Sequence, residues 1–127
     1  MNYDEVIEKY EKASNMPTRP TEKTYSENHI FDEDKSVKWN REEVARRNEE
    51  IKKERAVLQT NRYKALMEAE EAIVDYLHKN YSLISKSKIE KLFESIYNDF
   101  YRDHFDYKIQ GVIDMCEEYL DIFSEED

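Results

Sequence analysis

Between Pro20 and Gly111 the chain contains neither proline nor glycine. Proline removes a backbone donor and clashes with the preceding helical turn, and glycine inside a helix costs about 1 kcal/mol relative to alanine. A stretch of this length without either has no backbone reason to break, and it predicts an all-α fold. With 127 residues there is room for one domain plus an arm or tail. Hydrophobic residues make up only 39% and charged residues another 39%, so the core is small and part of the chain lies outside it. Ten Tyr and five Phe offset this, because each ring buries a large area.

Apolar spacing divides the chain. Tyr3, Val6, Ile7, Tyr10 and Ala13 fall on one face of a short helix. Residues 16–38 hold both prolines and no sustained period, so they read as an extended linker with Tyr25, Ile30 and Phe31 as docking points. A helix start is expected at Asn40, which can cap it, with Glu43 three residues on to close a capping box and Trp39 and Val44 at the positions of a hydrophobic staple. From Arg41 the helix meets no breaker before residues 79–82, and about 38 residues would span about 57 Å. Its second half carries the stripe Leu66, Ala69, Ile73, Tyr76 and Leu77. Its first half puts Val44, Ile51 and Leu58 at one seam position but Asn48, Arg55 and Arg62 at the other, which is half of what a two-stranded coiled coil needs. That half is expected to be a solvated arm held by Glu–Lys/Arg pairs, or to pack one thin edge on the N-terminal segment or on a partner.

A further helix is expected from Ser87, with Glu90 three residues later and Ile89, Leu92, Phe93, Ile96, Tyr97, Phe100 and Tyr101 in register. The last helix, capped by Asp106, carries Ile109, Val112, Ile113, Cys116, Leu120 and Phe123. Gly111 inside it marks either a close helix–helix approach or a later helix start. The expected architecture is therefore a small antiparallel three-helix core (65–80, 87–103 and 107–124) with one long protruding helix (41–80). An N-terminal region, residues 1–40, adds a short helix and an extended linker to the helical domain of residues 41–127.

Charge is distributed unevenly: net −3 over residues 1–40, +3 over 41–64 and −10 over 65–127. On the last two helices Glu90, Glu94, Asp99, Asp103, Asp114, Glu117, Glu118, Asp121 and Glu125 fall opposite the apolar stripes. Such a surface repels nucleic acid and complements the basic groove of a protein that binds it. Asp99, Asp103, Asp114, Glu117, Glu118 and Asp121 are thus the candidate partner-binding residues, and a merely solvated face is the simpler reading of the same acids. In the basic stretch, Arg46, Arg47, Lys52, Lys53, Arg55 and Arg62 are interleaved with five glutamates, which favours pairing within the helix over contact with phosphates.

The C-terminal run Tyr119-Leu120-Asp121-Ile122-Phe123 resembles, without its leading glutamine, the short peptide by which bacterial and phage proteins engage the replication sliding clamp. The resemblance covers five residues, and it implies that Leu120 and Phe123 fill an apolar pocket on a partner. The helical stripe that holds the same two residues implies instead that they pack in the core. Nothing in the chain reads as a catalytic set. His29, His78 and His104 are isolated from one another and from Cys116, and Arg102-Asp103-His104-Phe105-Asp106 is more simply read as caps and surface at a helix junction. Cys116 lies on an apolar stripe and is expected to be a buried, inert thiol. No cofactor, metal or catalytic residue is expected.

The N-terminus is acidic rather than signal-like, no apolar run approaches the ~20 residues of a membrane span, and the single cysteine cannot form an internal disulfide. A soluble cytoplasmic protein is expected. Residues with AT-rich codons (Lys, Asn, Ile, Tyr, Phe) far outnumber Gly, Ala, Pro and Arg, which suits a low-GC bacterium or a phage in one. The functional expectation is a non-enzymatic interaction protein that modulates a host or phage protein, such as a nucleic-acid enzyme, through an acidic helical surface. The alternatives are a virion or scaffolding subunit that self-associates through the long helix and N-terminal arm, and a small DNA-associated regulator or clamp binder.

Overall fold

The structure, a computed structural model, describes residues 1–18, 32–103 and 108–125, with the backbone alone at 101–103. These residues form four helices, α1 (Tyr3–Ser14), α2 (Val37–Asn80), α3 (Lys86–Asp103) and α4 (Ile109–Glu125), and no strand. The all-α expectation holds. The chain divides into two compact units, one of Asn15–Lys64 and one of Met1–Ser14 with Ala65–Asp127. α2 runs through both, and the division falls where its apolar stripe begins.

The larger unit holds the core. α2 contributes Ala69, Ile73, Val74 and Leu77, α3 contributes Ile89, Phe93 and Ile96, and α4 contributes Ile109, Val112, Ile113, Cys116 and Leu120. α1 joins these three helices with Val6, Ile7, Tyr10 and Ala13, all at most 5% exposed. Helix α1 starts on a reciprocal pair: the Glu5 amide donates to Asn2 Oδ1 at 2.9 Å and the Asn2 amide to Glu5 Oε1 at 3.3 Å. This is a capping box with asparagine in the cap position. Acids in its first turn and Lys12 in its last suit the helix dipole. Twelve residues make a marginal helix in water, so α1 owes its order mainly to the apolar face it buries.

Gly111 marks a close approach. It lies inside α4, and a Cβ there would stand 3.2 Å from Cε1 of Phe100 on α3. The missing side chain lets the two helices meet where alanine would crowd the ring. The alternative, a helix that starts after the glycine, does not occur.

The starts of α2 and α3 differ from expectation by a few residues, for a local reason. Asn40 does not cap α2. Ser36, four residues earlier, does: its Oγ accepts from the Trp39 amide at 3.0 Å, and serine serves this role as well as asparagine. Asn40 is buried inside the helix at 4% exposure. Its Oδ1 accepts from the Asp32 amide at 2.9 Å, and its Nδ2 donates to the carbonyls of Asp32 at 3.1 Å and Ser36 at 2.9 Å. It thereby clasps the preceding turn to the first turn of α2 and satisfies polar groups that burial would otherwise strand. Trp39 remains 39% exposed, with Lys35 Nζ 5.6 Å from its ring centroid. Helix α3 likewise begins at Lys86, with Ser85 Oγ accepting from the Lys88 amide at 3.3 Å. The expected cap Asp106 and the docking points Tyr25, Ile30 and Phe31 lie outside the described residues.

In the smaller unit, Val44, Asn48, Ile51 and Leu58 of α2 are half-buried, and Arg55 is exposed. Arg46 bonds Glu43 on one side and Glu50 at 2.6 Å on the other, while Arg47 Nε donates to Glu43 at 3.1 Å. These contacts hold the Glu43 carboxyl down to about 2, the bonds from Arg46 being the largest cause. The pairing expected within this segment is present, although exposed pairs of this kind contribute little stability.

Candidate functional site

Helix α4 carries six of the eight candidate partner-binding residues, and the structure sorts them by flank. Asp114, Glu117 and Asp121 lie at i, i+3 and i+7 on one side, and each accepts a phenol. Tyr3 of α1 donates to Asp114 Oδ1 at 2.8 Å, Tyr76 of α2 to Glu117 Oε1 at 3.1 Å, and Tyr81, just past α2, to Asp121 Oδ1. Tyr10 and Tyr97 join α1 to α3 in a similar way, with their hydroxyls 2.8 Å apart. Three acids read as partner-facing therefore form a ladder that ties α1 and the end of α2 to α4.

The ladder shifts its phenols. Tyr3 is pushed up to about 12, first because burial disfavours the phenolate and then because Asp114 holds the proton. Tyr76 and Tyr81 move in the same direction, again mainly through burial, with Glu117 and Asp121 adding to it. A folded-state value above the ordinary value near 10 means that the stabilisation is complete below about pH 10 and disappears as pH rises through 12. Unfolding free energy is therefore expected to fall between pH 10 and 12, in step with tyrosinate absorbance. Tyr3→Phe is expected to cost about 1 kcal/mol or less at pH 7 and to make that alkaline loss shallower. An unchanged alkaline loss in this variant would show that the Tyr3–Asp114 bond contributes nothing to it.

The other candidates are placed differently. Leu120 is 1% exposed and belongs to the core, whereas Phe123 is 44% exposed. Of the pair through which a clamp-like peptide would engage its pocket, only Phe123 faces solvent, and the whole run is helical. Glu118 is exposed and off the ladder, Asp99 is exposed on α3, and the side chain of Asp103 lies outside the described residues. Beside Glu118 stand Tyr119 (44% exposed) and Ile122 (51%), with the rings of Tyr119 and Phe123 6.5 Å apart. Tyr119, Ile122 and Phe123 therefore make an exposed apolar strip along the last turns of α4. The bond from Tyr81 to Asp121 brings the α2–α3 turn to the same end of the unit, and in that turn Leu83 is 98% exposed.

Sequence spacing alone did not reveal the ladder, because tyrosines at helical intervals read as core whether their hydroxyls meet a carboxylate or water. A signal was present: acids at i, i+3 and i+7 beside the apolar stripe of α4 occupy its boundary positions, where a neighbouring helix reaches them. Cys116 is fully buried, and burial pushes its thiol up to about 12, which leaves no thiolate at neutral pH. Among the described residues no group of three His, Cys, Asp or Glu is placed to hold a metal ion. His29, His104 and Asp106 lie outside them. No helix among them is long and apolar enough to cross a membrane. The chain matches no protein-family model, no curated protein and no solved structure.

Proposed function

We propose that this chain is a non-enzymatic interaction protein that binds and modulates a partner protein through the acidic surface of its larger unit. The supporting observation is the division of labour on α4. Some of its acids hold the fold through tyrosines, while Glu118 and Glu125 stand exposed beside apolar residues that the core leaves uncovered. A partner that itself handles nucleic acid fits the net charge of −10, because a basic nucleic-acid groove is the complement of such a surface, and the excess of residues with AT-rich codons suits a low-GC bacterial or phage setting. Reversal of Asp114, Glu117 or Asp121 would break the ladder and confuse folding with binding. Glu118→Lys with Glu125→Lys avoids this. That double variant is expected to keep the helical content and melting temperature of the wild type and to lose the protein it captures from a low-GC bacterial lysate. Undiminished capture would rule out the acidic surface.

A second reading is a structural or assembly subunit that self-associates through the long helix and the N-terminal arm; Val44, Ile51 and Leu58, half-buried at one seam position of α2, favour it. Light scattering separates the readings, since a mass independent of concentration argues for the first.

A further inference from the structure

Helix α4 leaves Tyr119, Ile122 and Phe123 between 44% and 51% exposed at i, i+3 and i+4, on a chain whose other α4 stripe residues are at most 4% exposed. Large aromatic and aliphatic side chains grouped in this way mark contact surfaces more often than single exposed residues do. The strip is edged by Glu118 and Glu125, which stand four residues before and three after Ile122 on the same helix, and the acidic residues Glu126 and Asp127 follow it in sequence. A second copy docking strip to strip about a two-fold axis would bring these acids against themselves, and like charges facing one another oppose association. No β-strand is present among the described residues, so no sheet edge is offered for strand addition.

We propose that this strip is the seat of a basic amphipathic helix from a different protein, its apolar side on Tyr119, Ile122 and Phe123 and its Lys or Arg residues against Glu118 and Glu125. The proposal rests on the acidic-surface reading above and narrows it to one face and one partner chemistry. Apolar contact supplies the affinity, while the acids steer the encounter and reject acidic helices.

A designed helical peptide of about 14 residues, with Leu on one face and Lys on the other, is a direct probe of this mode. The same peptide with Glu for Lys is its control. The Lys peptide is expected to bind the full chain, to bind more weakly at high salt because exposed charges are screened within about 10 Å, and to shift the Ile122 methyl resonance. Tyr119→Ser with Ile122→Ser changes only exposed positions, and is expected to weaken binding about tenfold or more while circular dichroism stays unchanged. An Ile122 methyl that does not move at saturation, or equal binding of the Glu peptide, overturns the proposal. If Glu118→Lys with Glu125→Lys abolishes binding while the Ser variant binds normally, the apolar seat is wrong and the acidic-surface reading survives. If neither variant changes binding, both fall.

Discussion

Leu77→Ala is expected to lower the unfolding free energy by about 2–5 kcal/mol, the range found when a buried leucine leaves a cavity that its neighbours fill only in part. Leu77 is 0% exposed and shares one cluster with Ile73, Ile89, Ile113 and Leu120, contributed by three helices. A small domain has total stability of only about 5–15 kcal/mol, so this one truncation removes a large fraction of it. Urea unfolding followed by far-ultraviolet circular dichroism measures the change, and an unaltered slope keeps the comparison within a two-state description. Leu58→Ala, made at a half-buried position of α2 in the other unit, is expected to cost markedly less because its leucine is already in partial contact with water. Equal losses at the two sites would mean that the apolar stripe of residues 65–80 does not anchor the core.

The stripes that built this core were legible because a helical period is a local property. Ile89, Phe93 and Ile96, or Val112, Ile113 and Cys116, face one direction whatever they pack against, and the structure buries all of them. What they pack against is not local. The face of α1 was visible as Val6, Ile7, Tyr10 and Ala13, but spacing cannot tell a helix that completes a core from one that belongs with the linker following it. The cap of α2 failed in another way: Ser36 and Asn40 are both competent caps, and the choice between them depends on a turn at Asp32 that Asn40 binds from inside the helix. The acids of α4 were correctly placed off the core. Their division into ladder and solvent-facing groups depends on where Tyr3, Tyr76 and Tyr81 arrive from other elements, and the strip at Tyr119, Ile122 and Phe123 is apolar and uncovered for the same nonlocal reason. Phe123 follows the stripe, yet it lies near the end of α4, where 44% of it remains exposed.

Val6→Asp tests the place of α1 and is expected to have an effect as large as the loss of Leu77. Val6 is 0% exposed, so a carboxylate at that position must either lose its hydration in an apolar cluster or pull α1 out of it. Releasing the helix gives up the burial of Ile7, Tyr10 and Ala13 together with the Tyr3–Asp114 and Tyr10–Tyr97 contacts. A substitution of this kind belongs to the class that costs more than about 4 kcal/mol, and release of α1 at pH 7 is the cheaper outcome. Once free, its 12 residues are too few to hold helix in water, so the amide protons of α1 are expected to exchange rapidly while those of α3 and α4 stay slower. Acidity works in the same direction as in the Tyr3 ladder, in a lower pH window, because protonation again favours the docked state. Burial raises the carboxyl of the docked variant above its ordinary value near 3.9, so the docked state binds the proton more tightly than the released one. Docking is therefore recovered as pH falls toward and below about 4, and is lost again as pH rises through the raised value. Hydrogen exchange of α1 at pH 4 and pH 7 reads this directly, with the wild type protected at both. Protection of α1 in the variant at pH 7 would show that the helix stays docked without Val6, and that Val6 does not seat it.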